Sequence, residues 1–203
     1  ALLLTVLVIL FPAWEYWRGP IHRAHLKANP EQKTATYRIT CIQLWTLALA
    51  LLGLYASGQL SVATLTVRDA PSLGEPLVAI ALVLATLYLG WSLRSVLRDP
   101  AIRQQTAESM QPLAWMLPAR RREAIWFIGP VSLSAGICEE LLYRGYLMQW
   151  LDGFMPIWAA MILSSAVFGL MHAYQGPAGI LRTGGLGLVM AGLFVVTGSL
   201  LWP

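Results

Sequence analysis

Six stretches of mostly apolar residues alternate along the chain with short polar connections. The first runs from Ala1 to Trp17 and ends in the aromatic cluster Phe11, Trp14, Tyr16 and Trp17, a composition suited to a membrane–water interface. The second spans about Thr40 to Leu60 and the third about Leu77 to Val96. Each comes near the ~20 residues that a helix needs to cross the hydrocarbon core. The fourth, Ala124 to Leu151, is too long for one straight span. Gly129-Pro130 is expected to divide it into an interfacial piece and a membrane helix, because proline donates no backbone hydrogen bond. Asp152-Gly153 turns the chain into a fifth run, Met155 to Met171. A connection containing Gly176, Pro177 and Gly179 leads to the sixth, about Leu181 to Trp202. There Gly187 and Ala191 have the small-xxx-small spacing of close helix contacts. The pattern predicts an all-α fold, a polytopic transmembrane bundle of about six spans.

Composition agrees. Of 203 residues, 57% are hydrophobic and 12% charged, against about 25% charged in an average soluble domain. The mean hydropathy is +0.61. A disordered chain, a nucleic-acid-binding module and an ordinary cytosolic enzyme are excluded. The net charge of +4 reports topology rather than an anionic partner. Eleven of the fourteen Lys/Arg fall in residues 18–38 and 94–123, which are expected to be loops, whereas the loop between the second and third runs holds only Arg68. By the positive-inside rule both basic loops face the cytoplasm. Cys41 and Cys138 lie in apolar segments and suggest no disulfide framework. The chain opens apolar at Ala1, without a Met or a basic leader region, and its start is expected to be trimmed.

Two places break the apolar rule. The first is Cys138-Glu139-Glu140-Leu-Leu-Tyr143-Arg144-Gly145. Three ionic residues facing lipid at mid-membrane would together cost about 8–10 kcal/mol, so they are expected to face the bundle interior and pair. Glu140 and Arg144, at i and i+4, share a helix face and can form an ion pair. Glu139 is rotated by about 100° and is free to point into a cavity. The second place is Phe168-Gly-Leu-Met-His172, which carries the only histidine in an apolar segment. Phe168 sits one turn below the imidazole and is expected to pack against it. A buried carboxylate and an imidazole can deprotonate a water, or can hold a metal that does so; either route ends in hydrolysis.

The EExxxR motif (Glu139, Glu140, Arg144) followed by FxxxH (Phe168, His172) resembles the CPBP family. These are CAAX-protease and bacteriocin-processing intramembrane endopeptidases, also called the Abi family. The resemblance covers about residues 120 to 203, and the two motifs at this separation are specific. It implies a division into N-terminal transmembrane helices with basic loops (1–119) and a catalytic core (120–203). It implies that Glu139 and His172 activate the attacking water, and that both would be ligands if the enzyme uses a divalent metal such as zinc. Arg144 would orient Glu140. A third motif, a histidine followed four residues later by Asn or Asp, would come shortly after Thr197-Gly-Ser-Leu. It is missing here and is expected to have been cut off with the last one or two helices.

The implied function is hydrolysis of a peptide bond in a membrane-associated protein or peptide: a prenylated C-terminus, a bacteriocin leader or a sorting tail. The compact loops point to a bacterial inner membrane. The expected partners are membrane lipid and that substrate, with no nucleic acid. Two other readings stand beside this one: a non-catalytic immunity factor or partner-binding scaffold of the same fold, and an ion-coupled transporter using the Glu/Arg pair. Other residues have plainer readings. His22 and His25 read as members of a solvated basic loop rather than ligands, Cys138 as a small apolar residue, and the tryptophans as interface anchors. His172 taken alone would read as a helix-end histidine bonded to a carbonyl. Tyr143 and Tyr174 would serve equally as substrate contacts or as part of the headgroup belt.

Overall fold

A computed structural model of the chain describes residues 2–60, 74–201 and 203. Among them every regular element is helical. Helix α1 covers Leu2–Ala28, α2 Lys33–Ala56, α3 Gly74–Arg98 and α4 Pro100–Met110. Helix α5 covers Arg121–Asp152, α6 Ile157–Met171 and α7 Pro177–Thr197. Arg68, with the connection it marks, lies outside the described residues, as do Ala1 and Trp202.

Five of these helices are long and apolar enough to cross a membrane: α1, α2, α3, α5 and α7. The fifth expected span, α6, has 15 residues and so reaches only about 22 Å. The chain is an all-α polytopic membrane bundle.

Three expectations about the connections are corrected. Residues 18–38 are not a loop. Helix α1 passes through Pro20 to Ala28, and after a single 3-10 turn at Pro30–Gln32 the chain enters α2. Apolar periodicity marks the part of a helix in hydrocarbon; the helix itself ends where Asn29, preceding a proline, leaves helical geometry. Residues 94–123 likewise hold a helix, α4. It is started by the Asp99 carboxylate, which accepts from the backbone N–H of Ala101 at 2.8 Å, with Pro100 in the first turn. Finally, Gly129-Pro130 does not break α5. A π-helical turn at Phe127–Val131 absorbs the proline and the helix continues.

Helix α5 is the centre of the bundle. Its buried face (Leu142, Tyr143, Tyr146, Leu147) packs with Leu7 of α1, Leu51 and Tyr55 of α2, Phe168 of α6 and Phe194 of α7. Helix α3 instead exposes Leu84, Leu87, Leu89, Trp91 and Leu93, as a lipid-facing helix should. Where α6 meets α7 the backbones touch: a Cβ on Gly169 would lie 2.7 Å from the Ile180 carbonyl oxygen. The Gly187/Ala191 pair is buried in this region, as its spacing predicts. Helix α7 begins four residues earlier than the apolar pattern suggests. Gly176, at φ 82°, makes a turn that few side chains tolerate and delivers Pro177 to the first helical position.

Candidate active site

Helix α5 changes pitch at the motif. Ser132–Glu139 is α-helical, and Glu140–Met148 is wound more widely as a π-helix. Widened turns recur at functional sites, and they need extra donors for carbonyls that the normal ladder would satisfy. Two are supplied here. Ser164 Oγ of α6 donates to the Tyr143 carbonyl at 3.1 Å, and the Tyr55 hydroxyl of α2 donates to the Gly145 carbonyl at 3.3 Å.

The two carboxylates of the motif part company. Glu140 Oε1 accepts from Arg144 Nη1 at 2.8 Å, forming the ion pair that the i,i+4 spacing predicts. The same guanidinium, 2% exposed, donates from Nη2 to the Gly187 carbonyl of α7 at 3.0 Å. It also lies over the Phe168 ring, 4.8 Å from its centroid. Arg144 thus joins three helices. Glu139 points elsewhere, into a partly open cavity of about 410 Å³.

His172 reaches the same cavity from the end of α6. Its Nδ1 donates to the Phe168 carbonyl at 2.9 Å, the carbonyl contact expected of a helix-end histidine. Because a carbonyl only accepts, that bond fixes the proton on Nδ1 and leaves Nε2 as the basic nitrogen of the neutral ring. Phe168 packs edge-on beneath the imidazole, with ring centroids 4.9 Å apart, and against Tyr143 at 5.0 Å.

The remaining walls come largely from residues that the motifs do not reveal. Glu15, Arg18 and His22 line the cavity from one face of α1, and Gln43 lines it from α2. Trp115 and Met116 close it from the segment between α4 and α5. That segment is clasped by α2. Lys33 Nζ donates to the carbonyls of Ala114 at 3.1 Å and Leu117 at 2.7 Å, and the Tyr37 hydroxyl donates to that of Met116 at 2.6 Å. Arg23 Nη2 donates to the Tyr174 carbonyl at 2.6 Å and lies against the Trp115 ring. The two basic stretches therefore meet at one end of the bundle.

Trp115 corrects the reading of every tryptophan as an interface anchor, since it is 7% exposed and faces both His22 and Tyr174 edge-on. Tyr143 and Tyr174 both line the cavity. Burial pushes the Tyr174 hydroxyl up to about 12, and the carboxylates of Glu139 and Glu15 push it the same way. It stays a neutral donor.

The signal for Glu15 and Gln43 was present in the sequence. Each is a polar side chain inside an apolar run, the same anomaly that singled out Glu139. Trp115 gave no such signal. His22 and His25 diverge: the first turns to the cavity, and the second pairs with Gln32 at 2.9 Å. Cys138 is buried in α5, and both cysteines are free. Glu139 and His172 would offer a metal two ligands. Among the described residues no third His, Cys, Asp or Glu joins them, whereas a catalytic zinc takes three protein ligands. The described residues do not fit a complete zinc site.

Fold and site together define the class: an all-helical integral membrane protein with a carboxylate and an imidazole facing one partly open cavity. Residues 121–203 match the family model described as type II CAAX prenyl endopeptidase Rce1-like, the same part of the chain that carries both motifs. The match supports a CAAX-type intramembrane protease, a hydrolase, in general terms. No curated protein and no solved structure matches the chain.

Proposed function

We propose that the protein is an intramembrane endopeptidase that hydrolyses a peptide bond of a membrane-associated protein or peptide. One observation carries this reading: Glu139 and His172, from different helices, line one cavity, while Glu140 is held away by Arg144. In the proposed step a water in the cavity gives a proton to the Glu139 carboxylate, and its oxygen attacks the scissile carbonyl carbon. His172 Nε2 accepts a hydrogen bond from that water and orients it. The carbon–nitrogen bond then breaks, and the proton held by Glu139 passes to the leaving nitrogen. Arg144 is a positioning residue, fixing Glu140 and the ring of Phe168 on which His172 rests. The step is built on carboxylate and imidazole because the described residues do not complete a metal site.

A lipidated C-terminal peptide is the leading substrate. This is supported by the matched family's description and by a cavity set among membrane helices. The setting we favour is a bacterial inner membrane with residues 18–38 and 94–123 on the cytoplasmic side. Their contact at one end of the bundle is consistent with that topology.

The test is mass spectrometry of membrane-associated peptides from cells carrying the full-length protein, Glu139→Ala or His172→Ala. The expected result is a processed product in the first that is lost in both variants while each remains folded. Removing a general base typically costs on the order of 10²–10⁴-fold in rate. Identical peptides from all three would mean that the buried charges serve structure or a partner, and the enzyme reading would fall.

A further inference from the structure

The cavity lining also holds polar groups that no protein hydrogen bond satisfies among the described residues. The Glu15 carboxylate and the Gln43 amide line the cavity, and neither makes a hydrogen bond or ion pair among the described residues. The indole N–H of Trp115 is buried, without a partner, in a side chain that lines the same cavity. Of the three, the Trp115 N–H is the one withdrawn from water, which is costly without a partner, while Glu15 and Gln43 are half-buried. An acceptor (Glu15), a donor–acceptor (Gln43) and a donor (Trp115) therefore line the same cavity as Glu139 and His172.

An extended peptide presents the complementary set. Its main chain carries an N–H donor and a C=O acceptor at nearly every residue, and both need partners once the peptide leaves water. Its side chains can rest on the apolar lining supplied by residues such as Leu7, Phe11 and Leu47. Recognition through the main chain is indifferent to side-chain identity, which suits an enzyme acting on several related sequences.

We infer that Glu15, Gln43 and Trp115 form a substrate-binding wall that hydrogen-bonds the main chain of an extended peptide. In it Trp115 donates to a peptide carbonyl, Glu15 accepts from a peptide N–H, and Gln43 does either. This rests on the protease reading and extends it to the N-terminal helices, which lie outside the family match.

The test uses the full-length protein in bilayer nanodiscs with a fluorescent farnesylated CAAX peptide. Cleavage is followed with the unsubstituted protein, and binding with Glu139→Gln. Trp115→Phe keeps an aromatic ring but loses the donor together with part of the indole's bulk; Glu15→Leu and Gln43→Leu are built alongside, all in the Glu139→Gln background. The neutral bonds of Trp115 and Gln43 should each be worth about 2–12-fold in Kd, and the charged bond of Glu15 about 10-fold or more. A second peptide series replaces single amide N–H groups by ester oxygens. At least one ester should weaken binding to the intact wall and cost nothing further in Glu15→Leu, a coupling that mere loss of folding would not produce. If the three variants bind within twofold of their parent, or every ester costs the same in all proteins, the wall is wrong even though cleavage persists. If the unsubstituted protein neither cleaves nor binds the peptide, the wall and the lipidated-substrate reading both fall.

Discussion

Arg144 reaches across 43 residues of sequence to donate to the carbonyl of Gly187 at 3.0 Å. The space beside Gly187 is filled chiefly by the ring of Phe168. A Cβ there would lie 3.0 Å from Phe168 Cδ1 and 3.5 Å from Arg144 Nη2. Gly187→Ala should therefore push the Phe168 ring from its place, leaving Arg144 at ordinary contact, and destabilise the fold by about 1–3 kcal/mol, the usual cost of overpacking. Thermal unfolding in mild detergent would measure it, with Gly185→Ala as the control, since open space surrounds that position.

The ion pair behind this contact should behave as a buried one. Arg144→Met leaves Glu140 partly buried and unpaired and should cost about 3–5 kcal/mol. The double variant Glu140→Leu/Arg144→Met removes both charges and should recover much of that loss. Unfolding of the single and double variants under the same conditions gives the comparison. Equal stability of all three would mean that the pair is solvated and inert.

The two adjacent glutamates should separate when each is made an amide. Glu139→Gln is expected to abolish cleavage with little change in unfolding temperature, because Glu139 lines the cavity and makes no hydrogen bond or ion pair among the described residues. Glu140→Gln is expected to lower stability through its bond to Arg144 while retaining part of the activity. Parallel unfolding and cleavage assays decide; the opposite pattern would reverse the roles proposed for the two.

Lys33 is a cation that serves carbonyls rather than a carboxylate. Lys33→Met removes its bonds to Ala114 and Leu117 and should cost about 1.5–3 kcal/mol, the scale of hydrogen bonds to charged groups. Faster hydrogen–deuterium exchange should appear across residues 113–118, with weaker peptide binding because Trp115 loses its support. Unchanged exchange there would show that the segment is held by Tyr37 and packing alone.

Much of the bundle was legible because the bilayer imposes a coarse rule: long apolar runs must be helices with their backbone bonds made internally. The divergence of Glu139 and Glu140 followed from helical geometry and the cost of ionic groups at depth. The ends of helices were hidden, since the helical ladder continues past the hydrocarbon into residues such as His22–Lys27, where hydropathy falls silent. The passage through Pro130 was hidden too, because a widened turn leaves no mark in the residue pattern. Glu15 and Gln43 were readable by the rule that found Glu139. Trp115 was not, since only tertiary contact with Lys33 and Tyr37 brings its segment inward.

That clasp between α2 and the 114–117 segment bears on how relatives can be recombined. A chimera joined at residue 121 would inherit every recognisable motif of the C-terminal part and a foreign set of leading helices. It would keep Glu139, Glu140, Arg144 and His172 in register, yet Glu15, Gln43 and the seat of Trp115 would come from another lineage. Such a hybrid would fold around the same charges while enclosing a different chamber. Its preferences should follow the donor of the N-terminal half.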